Sequence, residues 1–542
     1  MGIPFTVARV SGVIEYFMAI TPSKEQRGCI VPGTGSSLVP APLADVKAPV
    51  PDPIASSAFA RGARSRILNW VLAACAALAV FFVHFRPWQG GLLEDWGIVQ
   101  TWDMEGFGGF AARLPLTLGR PLHLLPDYVG MALSNGGFGG YYAVLGAVAV
   151  AQLVAALWAV APLTRSRSLR WAVALAFALH PWWAAGDILR FAGAQVSALG
   201  VVLWFGASIR FLANGRVLWA VLLVVAPILG FLSYQAPAAA IVLGAVVLAL
   251  MSRATWRRQI TLVALTVGAS VAVLTWSVFV VPRIAPASYE AQLGSQGLHL
   301  AGAFSAILRT LVLHAPALVF ALLLVAAGVI ALGFSRHLSS GRAWLLLLAA
   351  VATPLAALTY ASQAGHLNDP ERVALPVGLM LWIVACCALP ALNADRTVRL
   401  VVTAVVLAGT TMGALLGYET WTSYAASQQV LIRAVQPVRK IVPEGARLVL
   451  ADQSGRFGDV YLLLPPHLSI ALDVEYGPGA DVALCTPAGV LRDQPVAAVF
   501  PIATTPDCTA LLDGKVVTPL RDLVTTEGTF KVYELAPGAS AG

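Results

Sequence analysis

Long apolar runs closed by arginines dominate this chain, and that alternation leaves few folds open to it. A membrane helix needs about 20 apolar residues to cross. Candidate crossings lie at 67–85, 141–163, 169–184, 188–212, 217–232, 236–251, 260–281, 313–334, 343–361, 373–392 and 398–417. Hydrophobic residues make up 58% of the 542 and charged residues only 11%, against roughly 25% charged in soluble domains. The expected fold is therefore a polytopic α-helical membrane protein of about 11 transmembrane helices. The run 217–251 exceeds one crossing, and Ser233-Tyr234-Gln235-Ala236-Pro237 interrupts it, which predicts a hairpin.

The arginines supply the topology. Positive-inside bias puts Arg61, Arg64 and Arg66 in the cytoplasm, with Arg165, Arg167 and Arg170, then Arg210 and Arg216, then Arg253, Arg257 and Arg258, then Arg336 and Arg342, then Arg396 and Arg399. These groups are an even number of crossings apart only if 217–251 is a hairpin. The N-terminus is then cytoplasmic. The segments 86–140, 185–187, the Tyr234 turn, 282–302, 362–372 and everything after about residue 418 face outward. The net charge of +8 is explained by these arginines, and no basic patch with interleaved aromatics points to nucleic acid.

Residues 1–62, rich in Pro, Gly, Ser and Ala, read as a disordered cytoplasmic tail. The membrane domain spans 63–417. Residues 418–542 turn polar and carry β-like runs at Arg447–Ala451, Asp459–Leu464, Leu468–Val474, Val496–Phe500 and Phe530–Leu535, the pattern of a small α/β extracytoplasmic domain. In an oxidising compartment Cys485 and Cys508 are expected to pair as a disulfide, the alternative being two free thiols. Cys75, Cys386 and Cys387 fall in apolar runs and read as buried packing residues.

Carboxylates concentrate in Gly91–Pro121, directly after the first crossing: Glu94, Asp95, Asp103 and Glu105, among Trp96, Trp102, Phe107 and Phe110, with Arg113 and Arg120 closing the stretch. Gly106, Gly108 and Gly109 make part of it a candidate mobile segment. The segment Leu122–Ser134 is too short to cross and reads as an interfacial helix. Asp187 and Arg190 end a crossing, as an internal pair or as substrate ligands. Tyr234 and Gln235 break an apolar run, either as turn chemistry or because they line a cavity. The loop 362–372 adds His366, Asp369, Glu371 and Arg372, and Arg372 runs against the positive-inside trend. Arg120 is a candidate phosphate or sugar contact, or an interfacial arginine meeting lipid headgroups.

Glu94-Asp95, Gly119-Arg120-Pro121-Leu122 and Tyr234-Gln235 together resemble the GT-C class of membrane glycosyltransferases, and within it the bacterial O-antigen glucosyltransferase family related to phage serotype-converting enzymes. The resemblance covers roughly residues 67–420 and departs from the family at Glu94, where an aspartate is usual; the tail has no counterpart. It implies a GT-C-like fold in a bacterial inner membrane. It also implies inverting transfer of a hexose such as glucose from a polyprenyl-phosphate donor to a glycan or lipid acceptor of the cell envelope, such as lipopolysaccharide. Asp95 is expected to be the base, with Glu94 orienting it, holding an acceptor hydroxyl or sharing a Mg2+ or Mn2+ ion. Arg120, Asp103, Glu105, Arg190, Tyr234, Gln235, Arg372 and His366 are expected to bind substrate. A transporter or flippase of lipid-linked sugar would show internal repeats and midplane ionisable groups. An envelope-glycan polymerase or ligase would place its arginine-rich loop late.

Overall fold

The computed structural model describes residues 70–290, 300–313, 328, 340–361, 364–367, 369–393, 396–443, 446–455, 467–488, 490, 507–513, 515–525 and 528–535. The expected disordered tail 1–62 and nearly all of the expected crossing 313–334 lie outside them. Residues 68–542 form one compact unit.

Among the described residues, seven helices are long and apolar enough to cross a membrane, and three more apolar helices are shorter. In chain order the membrane half runs α1 (Trp70–Gln89), α2 (Asp95–Glu105), α3 (Gly108–Arg113), α4 (Leu125–Ser134), α5 (Phe138–Val160), α6 (Arg167–Leu179), α7 (Leu189–Asn214), α8 (Val217–Ser233), α9 (Ala238–Met251), α10 (Trp256–Ile284), α11 (Leu300–Leu313), α12 (Gly341–Tyr360), α13 (Pro370–Leu392) and α14 (Arg396–Arg439). The expected hairpin is present as α8 and α9, joined by the Tyr234-Gln235 turn. The segment expected to cross at 169–184 is the 13-residue α6, because the chain turns at His180-Pro181 in a left-handed residue, His180, at φ 41°. Leu300–Leu313 is helical, so the expected loop 282–302 ends in a helix.

Small residues set the helix spacing. Gly200 on α7 and Gly230 on α8 face each other so closely that a Cβ on Gly200 would lie 3.1 Å from the Gly230 Cα, the close approach that small residues permit between membrane helices.

α14 is 44 residues long. Hydropathy falls at residue 417, where the crossing is expected to end, but the buried stripe does not. Val402, Val406, Gly409, Gly413, Gly417, Trp421, Ala425, Gln428 and Ile432 recur every three or four residues, the period of one helical face. The helix therefore carries the fold out of the membrane half and into the tail.

The tail is a four-stranded mixed sheet in the order β2-β1-β4-β3, from β1 (Arg447–Asp452), β2 (Asp481–Cys485), β3 (Val517–Val524) and β4 (Thr529–Leu535). β1 pairs parallel with β2 and antiparallel with β4. The helix α15 (His467–Tyr476) lies between β1 and β2 in sequence, and the short α16 (Cys508–Leu512) precedes β3. The run Leu468–Val474, expected as a strand, is part of α15: Leu468, Ala471 and Leu472 are buried at helical spacing. Asp459–Leu464 and Val496–Phe500 lie outside the described residues. Cys485 and Cys508 form a disulfide with Cα atoms 4.8 Å apart.

Candidate functional site

The site is built at one end of the bundle, where the loop 86–140 meets the turns at 184–191, 233–237, 285–290 and 364–372. Its first component is the turn Gly90–Leu93. Gly90 has φ 67° and Leu93 φ 51°, an outlier for a branched side chain and the kind of strain that clusters at functional sites. The Gly90 carbonyl accepts from the Tyr142 hydroxyl at 3.0 Å, and the Gly91 carbonyl accepts from Gln428 at 2.7 Å.

The turn presents the acidic pair in two different ways. Asp95 is 1% exposed. One of its oxygens accepts the Leu92 N–H at 2.9 Å and the other the Arg190 N–H at 2.8 Å. Burial pushes its carboxyl up to about 7, with Glu94 adding to the shift and the Leu92 and Arg190 contacts opposing it. Glu94 is crowded by protein, yet its side chain is 46% exposed and pairs with the Arg190 guanidinium. Burial works to raise Glu94, but Arg190 chiefly, with His467, outweighs it and leaves the group below its ordinary value. The two carboxylates thus differ in surroundings. The reachable, ionised carboxylate is Glu94, whereas Asp95 is a buried acceptor that ties the loop to the Arg190 segment.

The second component is the Gly119-Arg120 segment. The Leu118 carbonyl accepts from Trp276 at 3.1 Å, and the Gly119 carbonyl from Gln235 at 2.9 Å and Ser277 at 3.0 Å. A Cβ on Gly119 would lie 2.4 Å from the Glu290 carboxyl carbon, so a glycine here lets Glu290 reach Arg120, which it pairs at 3.1 Å. Arg120 lies over the Tyr289 ring at 4.8 Å and near the Tyr234 ring at 5.9 Å.

Tyr234 joins this segment to the third component. Its hydroxyl accepts from Tyr360 at 2.9 Å, and its ring stacks on His123 at 5.9 Å and meets Phe191 at 6.4 Å. Arg372 pairs with Asp369 at 3.0 Å, donates to His366 Nε2 at 2.7 Å and lies 3.4 Å from the Tyr289 hydroxyl. Because an arginine only donates, His366 Nε2 accepts, which puts the proton on Nδ1, buried without a partner. Burial, then Arg372 and Arg120, hold His366 at about 3. Burial also lowers His123 to about 3, helped by Arg120, Arg190 and Arg372 and opposed by its bond to the Ser233 carbonyl. One imidazole thus feels all three guanidiniums, which converge although their positions span 252 residues of sequence.

Eight of the expected residues therefore share one site: Glu94, Asp95, Arg120, Arg190, Tyr234, Gln235, His366 and Arg372. Asp103 and Glu105 do not join them. They lie at the far end of α2, eight or more residues beyond Asp95, and at ~1.5 Å per residue the helix carries them ~12 Å or more away. Both are exposed, and partial burial raises Asp103. Asp95 accepts one backbone N–H on each oxygen and Glu94 is paired with Arg190. Among the described residues no three His, Cys, Asp or Glu side chains gather to hold a metal ion. Sequence reasoning missed His123, Ser277, Tyr289, Glu290 and Tyr360. Ser288 and Tyr289 follow a Pro-containing break after an apolar helix, the same signal that singled out Tyr234, and that signal was there to be used.

No family model matches the chain, and no curated protein matches it. Among solved structures, the chain is similar to the cryo-EM structure of the arabinofuranosyltransferase AftD from Mycobacteria, at 16% identity and a TM-score of 0.40, over 64% of this chain and 26% of that one. The chain thus spans about a quarter of the length of the protein it matches.

Proposed function

We propose that the chain is a membrane glycosyltransferase that takes a sugar from a lipid-phosphate donor and passes it to a hydroxyl of a cell-envelope glycan or lipid. The observation that carries this reading is the pairing of a partly exposed carboxylate, Glu94, with Arg190 at the end of the bundle where Arg120 and Arg372 meet around Tyr289. Glycosyl transfer needs those two functions. Glu94 takes the proton of the acceptor hydroxyl as its oxygen attacks the anomeric carbon. The bond from that carbon to the phosphate oxygen breaks, and the electron pair leaves with the lipid phosphate, whose charge meets Arg120 and Arg372. A guanidinium has five N–H donors, so each arginine keeps donors for a phosphate beyond its carboxylate partner. The partly exposed Tyr289 ring offers a flat, partly apolar face of the kind sugars stack on, while Tyr234 and Tyr360 are buried.

The positive-inside pattern of arginines supports an outer-side location for this end of the bundle and the tail, where a lipid-linked donor fits better than a nucleotide sugar. The resemblance in Glu94-Asp95, Gly119–Leu122 and Tyr234-Gln235 supports a hexose donor and inversion at the anomeric carbon. The test is mass spectrometry of envelope glycans and lipid-linked sugars from a deletion strain, complemented with the native chain or with Glu94→Gln. Loss of one sugar branch, restored by the native chain alone, is the expected result. Unchanged glycans in the deletion strain would overturn the reading.

A further inference from the structure

We propose that Glu371 is a positioning residue that joins the two halves of the site, holding the 184–191 turn, which carries Arg190, at a set distance from Arg372. The proposal deepens the transferase reading and rests on it: Glu94 beside Arg190 takes the acceptor proton, and Arg372 meets the lipid phosphate.

The joint is one hydrogen bond between residues 186 apart in sequence: Glu371 Oε2 accepts the Ala185 N–H at 2.8 Å. Both residues are buried, Glu371 at 1% exposure and Ala185 at 0%. A carboxylate is tolerated there because Glu371 lies in the first turn of α13, where the helix dipole favours negative charge. The Ala185 N–H needs an acceptor in turn, since a buried donor left unsatisfied is costly.

On one side of this bond the path to Arg190 is short and stiff. The Ala185 carbonyl accepts the Ile188 N–H at 3.0 Å, and the Ile188 carbonyl accepts the Phe191 N–H at 3.1 Å. The flanking groups are held as well. Trp421 on α14 donates to the Ala184 carbonyl, and Gln195 on α7 donates to the Gly186 carbonyl at 3.0 Å. Side chains from three helices thus fix three successive residues, and Glu371 supplies the contact that leads to the phosphate half.

On that side Asp369 caps α13. Its Oδ1 accepts the Glu371 and Arg372 N–H groups at 3.1 and 3.3 Å, and its Oδ2 accepts from Arg372 Nε at 3.0 Å. A series of hydrogen bonds therefore runs from the Arg372 guanidinium through Asp369 and Glu371 to Ala185, and on to the segment whose Arg190 N–H meets Asp95. Displacement at an anomeric carbon needs the base and the phosphate contact held in one geometry. Without Glu371 the 184–191 turn shifts independently of α13, and Glu94 with it.

The test uses full-length variants in the complemented deletion strain, each quantified in the membrane. Glu371→Ala lowers glycan product per accumulated molecule roughly tenfold or more, the scale of a small misplacement at a reacting centre. Glu371→Asp keeps the charge but withdraws the acceptor by one methylene, and it shows the same loss in a chain that still folds. Glu371→Gln, whose Oε1 still accepts the Ala185 N–H, retains most of the product. A residue that only stabilised the fold would lower Tm and accumulation and leave product per molecule unchanged. Native product per molecule from Glu371→Asp overturns the proposal, and so does a Glu371→Gln as defective as Glu371→Asp. A second arm needs no activity: hydrogen–deuterium exchange of residues 184–191, read by mass spectrometry in detergent. Exchange there quickens in Glu371→Asp and stays slow in Glu371→Gln. Equal exchange in the native chain and both variants overturns the proposal. The expected exchange pattern, with glycans unchanged in the deletion strain, counts only against the transferase reading.

Discussion

Arg190 holds both members of the acidic pair, its backbone N–H donating to Asp95 at 2.8 Å and its guanidinium pairing with Glu94. One residue thereby sets the buried and the exposed carboxylate at once, and their contributions separate experimentally.

Glu94→Gln removes the proposed base and leaves the turn intact. Transfer falls by about 10²–10⁴-fold with normal accumulation in the membrane. Asp95→Asn instead turns an NH2 toward the Leu92 or Arg190 N–H, and an unsatisfied buried donor costs about 1–3 kcal/mol. Its signature is a lowered Tm with a smaller loss of transfer. Equal transfer by Glu94→Gln and the native chain in the glycan assay would refute the assignment.

Asp95 also makes a pH prediction. Its folded value of about 7 lies above the ordinary 3.8, so the folded chain binds the extra proton between those values. The stability it contributes is fully present below about pH 4, falls as pH rises and levels off above about 7. Tm curves of the native chain and Asp95→Asn in detergent from pH 4.5 to 8 should converge as pH rises. Parallel curves would show that Asp95 does not titrate in this window.

Arg120→Ala leaves Glu290 buried and unpaired. Breaking a buried pair from one side costs about 3–5 kcal/mol, and removing both charges avoids most of that penalty. Thermal unfolding of Arg120→Ala should therefore come well below that of Arg120→Ala/Glu290→Ala. Similar Tm values for the two would mean the pair is dispensable to the fold.

Gly413 and Gly268 offer a paired steric test. A Cβ on Gly413 would sit 2.2 Å from the Pro181 carbonyl oxygen, whereas one on Gly268 meets nothing within 4 Å. Gly413→Ala forces α14 off the His180-Pro181 turn, at about 1–3 kcal/mol for overpacking. Gly268→Ala is neutral or slightly stabilising. Detergent-solubilised Tm values compare the two directly.

The Cys485–Cys508 disulfide closes a loop of 23 residues, which in the chain-entropy account contributes about 3 kcal/mol. Cys485→Ser/Cys508→Ser should lower the resistance of the tail to limited proteolysis while leaving the membrane half protected. An unaltered digestion pattern would assign the tail's stability to its core alone.

Much of this was legible in the sequence because a bilayer imposes simple rules. The apolar runs gave most helices, and the break at Tyr234-Gln235 gave the α8–α9 hairpin. The arginine pattern grouped in advance the very turns that meet at the site. Two kinds of feature were not legible. Leu468–Val474 is short and mixes β-branched and helical residues, so its pattern suits either structure until the burial of Leu468 and Leu472 in one core decides it. Both carboxylates follow the left-handed Leu93, and it is Asp95 that turns back to accept the Leu92 and Arg190 N–H groups, which no spacing in the chain encodes. Glu290 was invisible for a related reason, since only the bare α-carbon of Gly119 lets it reach Arg120.

At ~1.5 Å per residue, the unbroken α14 is ~66 Å long, about twice the ~30 Å hydrocarbon layer of a bilayer. The sheet is therefore carried on continuous helix rather than on a flexible linker, and Trp96 of α2, set in the tail's core, ties it back to the first loop.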